Sequence, residues 1–183
     1  MFDKIFSLIA ILILLVPIIL LSILIKIDSR GPIIYWSKRI GKNNRIFLMP
    51  KLRTMRLDTP QLATHLITSP NNFITALGRY LRKYSMDEVP QFWSVFVGEM
   101  SIVGPRPALF NQDDLIELRN KYGISKLKPG ITGWAQINGR DLNSIEDKVE
   151  LERYYLNKKS FIFDIYIIML TVRKIFTFSQ LSH

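Results

Sequence analysis

Two adjacent carboxylates, Asp87 and Glu88, are the side chains whose type and spacing best suit chemistry in this chain. Pro90 follows them, and proline is tolerated in the first turn of a helix, which predicts that the pair lies at or near a helix N-terminus. The positive end of the helix dipole favours an ionised acid at such a place. An ionised carboxylate can act as a nucleophile or ligate a divalent cation. The alternative is an acidic cap that only stabilises its helix.

Composition excludes several other kinds of catalytic site. The chain has 183 residues, which predicts one domain, and it contains no cysteine, which excludes disulfides and thiolate metal sites. His65 and His183 are its two histidines, too few for a histidine zinc site or a serine–histidine triad to be expected. Catalysis is therefore expected from carboxylates, lysines and arginines, in a chain with a formal net charge of +10.

A long apolar run near the N-terminus predicts a membrane segment. Residues 5–25 carry no charge over 21 positions, and as a helix they would span roughly 32 Å, enough for the core of a bilayer. Pro17 lies near the centre, where proline removes a backbone hydrogen bond and kinks a helix. A straight crossing and a bent hairpin that re-enters the same face are both compatible with this pattern.

The segment that follows is strongly basic. Residues 26–56 contain nine Lys or Arg and one acid, Asp28, so this flank is expected on the cytoplasmic face. The charge suits anionic lipid headgroups or a phosphorylated substrate. No helix-turn-helix, RNA-binding signature or zinc finger accompanies it, so we expect no nucleic-acid partner.

Periodicity and turn residues predict the elements that must position these side chains. Two short strands flank a basic turn and are expected to form a hairpin, and apolar spacing indicates a series of helices. The strands are 33–36 and 46–49; the helices are 73–84, 87–97, 113–121, 145–156 and 161–178; the loops are 57–72 and 129–140. We therefore predict an α+β fold: a membrane-associated, mainly helical domain with a short β-hairpin, an N-terminal membrane helix and amphipathic interfacial helices.

Finer features accompany these predictions. Asn72 is the expected cap of the first of these helices, and Gly123 is expected to end the third. Four apolar residues of the helix 87–97 are expected to be buried: Val89, Phe92, Trp93 and Phe96. The last helix is apolar but carries Asp164, Arg173 and Lys174, which favours an interfacial or a core helix over a second crossing.

Several ordered motifs together resemble one protein family over nearly the whole chain. They are Gly31-Pro32-Ile33, Arg39-Ile40-Gly41-Lys42, Lys51-Leu52-Arg53-Thr54-Met55, Arg82 to Trp93, Gly98 to Pro107, and Pro129 to Gln136 continuing through Asn138-Gly139-Arg140. With these motifs the chain closely resembles the bacterial sugar transferases. These are small monotopic phosphoglycosyl transferases that begin glycan assembly on a polyprenyl phosphate.

The resemblance implies a two-step transfer and a role for particular residues. Asp87 would attack the β-phosphate of a UDP-sugar, expel UMP and carry the sugar phosphate until a polyprenyl phosphate, expected to be undecaprenyl phosphate, accepts it. Glu88 would bind Mg²⁺ and share the catalytic role. Phosphate binding would fall to Lys51, Arg82, Arg106 and Arg140. Phosphoryl transfer does depend on positioning and on neutralising oxygen charge, and arginine binds phosphate bidentately.

The resemblance also implies a location. Residues 1–27 would form a re-entrant membrane helix, and residues 28–183 a catalytic domain on the cytoplasmic face of the bacterial inner membrane, in contact with membrane lipids. Two positions depart from the family pattern. Val16 precedes Pro17 where relatives often have serine, and Glu152 stands where many have aspartate, so we assign Glu152 no role.

Two other classes of function are consistent with the residues. A non-catalytic basic membrane-binding protein would not need Asp87. A membrane-anchored, metal-dependent hydrolase of nucleotide sugars would transfer the phosphate to water with no lipid acceptor. The sugar that is transferred and the oligomeric state do not follow from the sequence.

Overall fold

A computed structural model of the chain describes residues 2–59, 73–138 and 144–180. The chain divides into two compact units. The first unit comprises residues 1–37 and 48–94, and the second unit comprises residues 38–47 and 95–183.

The described residues form seven helices and four strands. In chain order these are α1 (Phe2–Asp28), β1 (Ile34–Ile40), β2 (Ile46–Leu52), α2 (Ala76–Lys83), α3 (Gln91–Val97), β3 (Ser101–Val103), α4 (Asp113–Lys121), β4 (Gly130–Thr132), α5 (Trp134–Asn138), α6 (Ile145–Lys158) and α7 (Phe161–Gln180). Three 3₁₀ turns accompany them, at Lys42–Asn44, Met86–Glu88 and Ile124–Lys126. Strands β1 and β2 form one two-stranded sheet, and β3 and β4 form another. The predicted α+β, mainly helical fold with a short hairpin is confirmed.

Helix α1 is the one helix in the described part of the chain that is long and apolar enough to cross a membrane. It runs as a single element through Pro17, and most of its apolar side chains are exposed. Ile25, near its C-terminal end, is buried with Leu52 of β2 and Leu81 of α2. The predicted apolar helix is confirmed, and its re-entrant course stays a prediction.

Helix α2 begins later than predicted. Thr75 caps it, because the Thr75 hydroxyl accepts a hydrogen bond from the Gly78 N–H at 3.0 Å. Asn72, the predicted cap, lies outside the described residues, as does most of the predicted loop 57–72.

The predicted helix 87–97 is wrong in its first turn and in its buried face. The two carboxylates lie on the 3₁₀ turn Met86–Glu88, and the α-helix begins only at Gln91. Trp93 is 52% exposed, whereas Gln91 and Ser94 are buried. Val89, Phe92 and Phe96 are half-buried rather than fully buried. A 3₁₀ turn rotates the chain differently from an α-helix, so the apolar spacing assigned the wrong face.

The predicted loop 129–140 is also wrong over residues 129–138, and its last two residues lie outside the described part of the chain. Gly130–Thr132 is a strand that pairs parallel with Ser101–Val103, and α5 follows directly. A Cβ on Gly130 would lie 2.1 Å from the Gly104 nitrogen, so glycine permits this close approach of the two backbones. Gly130, one of the glycines that suggested a loop, therefore serves strand packing.

The remaining helices of the second unit match their predictions. Helix α4 spans 113–121 as predicted, and Gly123 follows it with a left-handed φ of +73°. Helices α6 and α7 begin where expected and extend slightly further. A core cluster of Ala108, Leu115, Ile124 and Val149 holds α4 and α6 together. Helix α7 also exposes a stripe of apolar side chains, Ile162, Tyr166, Met169 and Val172.

Candidate active site

Asp87 is a buried carboxylate on a short, strained turn. The residue is 8% exposed, and it lies in the middle of the 3₁₀ turn Met86–Glu88. The turn is entered through Ser85, which adopts a left-handed conformation at φ 55° and ψ 23°. Such a conformation costs a residue with a Cβ about 1–2 kcal/mol, so the surrounding structure must hold it. The Ser85 carbonyl accepts the Glu88 N–H at 3.2 Å and closes the turn.

Glu88 is held by an ion pair from strand β2. Lys51 Nζ donates to Glu88 Oε1 at 2.7 Å, and the two side chains are only 15% and 18% exposed. Thirty-seven residues separate the partners along the chain. The end of β2 therefore places an ammonium group directly beside the carboxylate pair.

Arg82 is fixed by Thr54, two residues beyond the end of β2. Its Nε donates to the Thr54 hydroxyl at 2.8 Å, and Thr54 is itself buried. The Thr54 carbonyl accepts the Thr75 N–H at 3.1 Å, which ties the same residue to the start of α2. Burial lowers the pKa of Arg82, and the nearby charge of Asp87 raises it.

The charges around Asp87 oppose one another. Burial raises the pKa of the Asp87 carboxyl above its ordinary value, and this is the largest effect. Lys51 lowers that pKa, Glu88 raises it and Arg82 lowers it again. The helix dipole was expected to keep this carboxylate ionised. Its pKa depends instead on burial, on the two cations Lys51 and Arg82, and on the adjacent Glu88.

Arg53 anchors the end of α1, although it belongs to the same basic motif as Lys51. Its guanidinium donates to the Ser29 carbonyl at 2.7 Å and to the Arg30 carbonyl at 2.8 Å, just beyond the end of α1. A cation there satisfies carbonyls that have no partner within the helix. Arg53 therefore secures α1 to β2.

Arg106 belongs to the second unit, on a rigid segment. The Gly130 N–H donates to the Pro105 carbonyl at 2.8 Å, which ties the segment before Arg106 to the start of β4. The Arg106 carbonyl accepts from Arg119 at 2.9 Å, and the Pro107 carbonyl accepts from Arg39 at 3.1 Å. The backbone is thus fixed while the Arg106 side chain is exposed.

The structure brings together four of the six residues predicted for the site. Lys51, Arg82, Asp87 and Glu88 form one cluster in the first unit. Arg106 is in the second unit, and Arg140 lies outside the described residues.

Sequence reasoning missed Ser85 and Thr54 as supports of this cluster. The left-handed conformation of Ser85 leaves no pattern in the sequence. Thr54 lies inside the motif Lys51 to Met55, and that position was the available signal.

The donor set suits a cation shared with a substrate. Asp87 and Glu88 are adjacent carboxylates, and no group of three or more His, Cys, Asp or Glu side chains suited to a metal occurs among the described residues. Mg²⁺ is commonly held by one or two carboxylates together with substrate phosphates. The pair therefore fits that mode and not a cage built entirely from protein ligands.

Comparison with known proteins adds a family. The model of a family described as bacterial sugar transferase matches residues 1–178. The chain is 38% identical over 172 residues to the UDP-glucose:undecaprenyl-phosphate glucose-1-phosphate transferase of Escherichia coli, covering 90% of this chain and 37% of that protein.

Two further relatives have comparable names. The undecaprenyl-phosphate glucose phosphotransferase of Komagataeibacter xylinus is 39% identical over 184 residues, covering 94% of this chain and 35% of that protein. The UDP-N-acetylgalactosamine-undecaprenyl-phosphate N-acetylgalactosaminephosphotransferase of Aeromonas hydrophila is 33% identical over 161 residues, covering 85% and 38%. The chain thus spans little more than a third of the length of these relatives.

Proposed function

Because the chain belongs to the bacterial sugar transferase family, we propose that it transfers a sugar 1-phosphate from a UDP-sugar to a polyprenyl phosphate. The acceptor would be undecaprenyl phosphate, which appears in the names of the relatives from three bacteria. The products would be UMP and a polyprenyl diphosphate sugar, the first membrane-bound intermediate of a glycan.

The observation that carries this proposal is the buried carboxylate of Asp87 among cations. Lys51 and Arg82 favour its ionised form, while burial withdraws it from water. A carboxylate stripped of hydration and held on a rigid turn is a better nucleophile than one in solvent. The same cations suit the negative oxygens of a phosphate.

The reaction would proceed in two displacements at one phosphorus atom. An Asp87 oxygen forms a bond to the β-phosphorus, the bond from that phosphorus to the bridging oxygen breaks, and UMP leaves with the electron pair. A phosphate oxygen of the polyprenyl phosphate then attacks the same phosphorus, and Asp87 leaves as a carboxylate. Each step exchanges one P–O bond for another, so no redox partner is needed.

Glu88 would hold Mg²⁺ together with the substrate phosphates. The cation would neutralise charge on the phosphate oxygens. Lys51 binds Glu88 at 2.7 Å, so it orients that carboxylate and would lie beside the phosphates. Arg82 would bind phosphate oxygens through its remaining N–H groups, with its Nε anchored on Thr54. Arg106 and Arg140 are further proposed phosphate ligands.

The membrane location follows from the same chemistry, because one substrate is soluble and the other carries an isoprenoid tail. We propose that residues 1–27 form a re-entrant membrane helix and that residues 28–183 form a catalytic domain at the cytoplasmic face of the inner membrane. Contacts at both ends of α1 support this course. The Phe6 and Phe92 rings lie 6.4 Å apart, and Leu21 packs against the cluster that contains Leu81. A helix that crossed the bilayer would carry one end away from these residues.

The test is UMP release by the purified full chain in detergent or lipid nanodiscs, with a panel of UDP-sugars and undecaprenyl phosphate. Wild-type protein should release UMP and form the lipid product, and Asp87→Asn should do neither. Asp58→Asn is the matched control, because Asp58 is an exposed carboxylate of the first unit that pairs with Arg56. Mass spectrometry of protein quenched without acceptor should find the phosphosugar on Asp87.

Each other outcome contradicts a defined part of the proposal. UMP release that continues to turn over without any lipid acceptor indicates a hydrolase. Equal activity of Asp87→Asn and wild type refutes the nucleophile, as does an adduct on another residue. An N-terminal tag that resists labelling from the cytoplasmic face refutes the re-entrant course.

A further inference from the structure

A second group of cations surrounds the segment Pro105–Pro107 in the second unit. Arg39 donates to the Pro107 carbonyl at 3.1 Å, and the Ile40 N–H donates to the Ala108 carbonyl at 3.0 Å, so the end of β1 lies along this segment. Arg119 donates to the Arg106 carbonyl at 2.9 Å from the opposite helix, α4. The Arg106 side chain projects from a backbone that is held on both sides.

Lys148 adds a fourth cation to this group. It lies on α6 one turn before Glu152, and residues four apart share a helix face. It lies within electrostatic range of Arg39, Arg106 and Arg119. Burial lowers the pKa of the Lys148 ammonium, and the three arginines lower it further, whereas Glu152 raises it.

The acidic charge within this group is already committed. Glu152 is buried and receives two hydrogen bonds from Arg119, at 2.7 and 2.5 Å. This bidentate pair is neutral as a unit. Among the described residues, the acid that acts on Lys148 is thus already paired with Arg119, while three arginines oppose the Lys148 charge.

We propose that Arg39, Arg106 and Lys148 form a binding site for a phosphate group, with Lys148 as a ligand that neither the motifs nor the family comparison assigns. A phosphate dianion would offset the mutual repulsion of these cations. It would also supply acceptors for Lys148, whose three donors make no hydrogen bond that the described residues account for. Partial burial strengthens such a contact, because the surrounding dielectric is lower than that of water.

This proposal deepens the proposed function and rests on it for the identity of the phosphate, which belongs either to the nucleotide or to the lipid acceptor. Both present the same chemistry, a terminal phosphate oxygen with negative charge. Binding itself needs no turnover, so the site is testable apart from catalysis.

The experiment measures the binding of inorganic phosphate, UDP and a short-chain polyprenyl phosphate by calorimetry on the full chain in detergent. Lys148→Met should weaken phosphate binding about tenfold, the effect of losing one charge-assisted hydrogen bond. Lys148→Arg should keep most of the affinity. Lys158→Met is the matched control, because Lys158 is an exposed lysine on the same helix, and it should bind as wild type does.

Thermal unfolding separates binding from a merely structural role. Because burial and three arginines disfavour the charge of Lys148, Lys148→Met should unfold at the same temperature as wild type or higher. Lower affinity for UDP alone assigns the site to the donor, and lower affinity for the polyprenyl phosphate alone assigns it to the acceptor. Unchanged binding of all three ligands by Lys148→Met overturns the proposal, as does a loss of binding that merely follows a loss of stability.

The two proposals fail in different ways. If wild type binds phosphate through Lys148 but never releases UMP, the transferase function is refuted and the site stands. If UMP release is normal and Lys148→Met has wild-type affinities and KM values, the site is refuted and the transferase function stands.

Discussion

Replacing Lys51 with methionine is the sharpest test of how the cluster around Asp87 works. The substitution keeps the length of the side chain and removes its charge, so Glu88 loses the ammonium that lies 2.7 Å away. Opposite unit charges 4 Å apart attract by about 1 kcal/mol in water and about 4 kcal/mol at an effective dielectric constant of 20. Both side chains are less than a fifth exposed, so the loss should lie between these limits.

The same substitution should raise the pKa of Asp87. Lys51 is the strongest of the influences that lower this pKa, and without it burial and the Glu88 charge both favour the protonated acid. The acid limb of the rate against pH, measured as UMP release, should therefore move to higher pH.

Two readouts and one control make this prediction decisive. The carboxyl ¹³C shift of Asp87 reports its titration even if the variant turns over slowly, and denaturant unfolding should show a cost of about 1–4 kcal/mol. Arg56→Met removes a cation from an exposed pair, whose side chains are 60% and 57% exposed. This variant should leave the acid limb of the rate profile where it is in wild type. It should change the free energy of unfolding by no more than about 0.5 kcal/mol.

If Lys51→Met lowers the rate by the same factor at every pH and leaves the titration of Asp87 unmoved, Lys51 does not control the charge of Asp87. Lys51 would then act on the substrate alone. An equal shift in Arg56→Met would instead indicate a general effect of net charge.

Three further predictions follow from the same geometry. Asp87→Asn should abolish UMP release yet raise the free energy of unfolding at neutral pH. The folded state holds this proton more strongly than the unfolded state, so wild-type stability falls as pH rises between the two pKa values, and the gain should vanish below the lower one. Ser85→Gly should retain activity and stability, whereas Ser85→Val should cost about 1–2 kcal/mol and lower kcat, because only glycine adopts the left-handed φ of 55° without strain; equal behaviour of the two would disprove the strain. Arg119→Met leaves the Glu152 charge buried and should cost about 3–5 kcal/mol in denaturant unfolding; the double variant with Glu152→Leu should recover most of that cost.

Local patterns were sufficient for the elements whose signal lies within one segment. Helix α4 matches its predicted bounds because its acidic first turn, its basic last turn and the glycine that follows it all lie within 113–123. The apolar helix α1 and the β1–β2 hairpin are likewise encoded by composition and by a turn. The strand Gly130–Thr132 was missed, because a three-residue strand depends on a partner elsewhere in the chain and its glycines resemble a loop.

The same distinction applies to the candidate site. The sequence by itself pointed to Asp87 and Glu88 through their place before Pro90 and within the family motif Arg82 to Trp93, and it placed cations in the motifs around them. Only the tertiary structure decided which cation meets which acid. Lys51 reaches Glu88 across 37 residues, and Arg82 is anchored on Thr54 across 28. The physical reason is that Coulomb attraction and desolvation depend on distance and burial, and both are properties of the folded chain and not of the order of its residues.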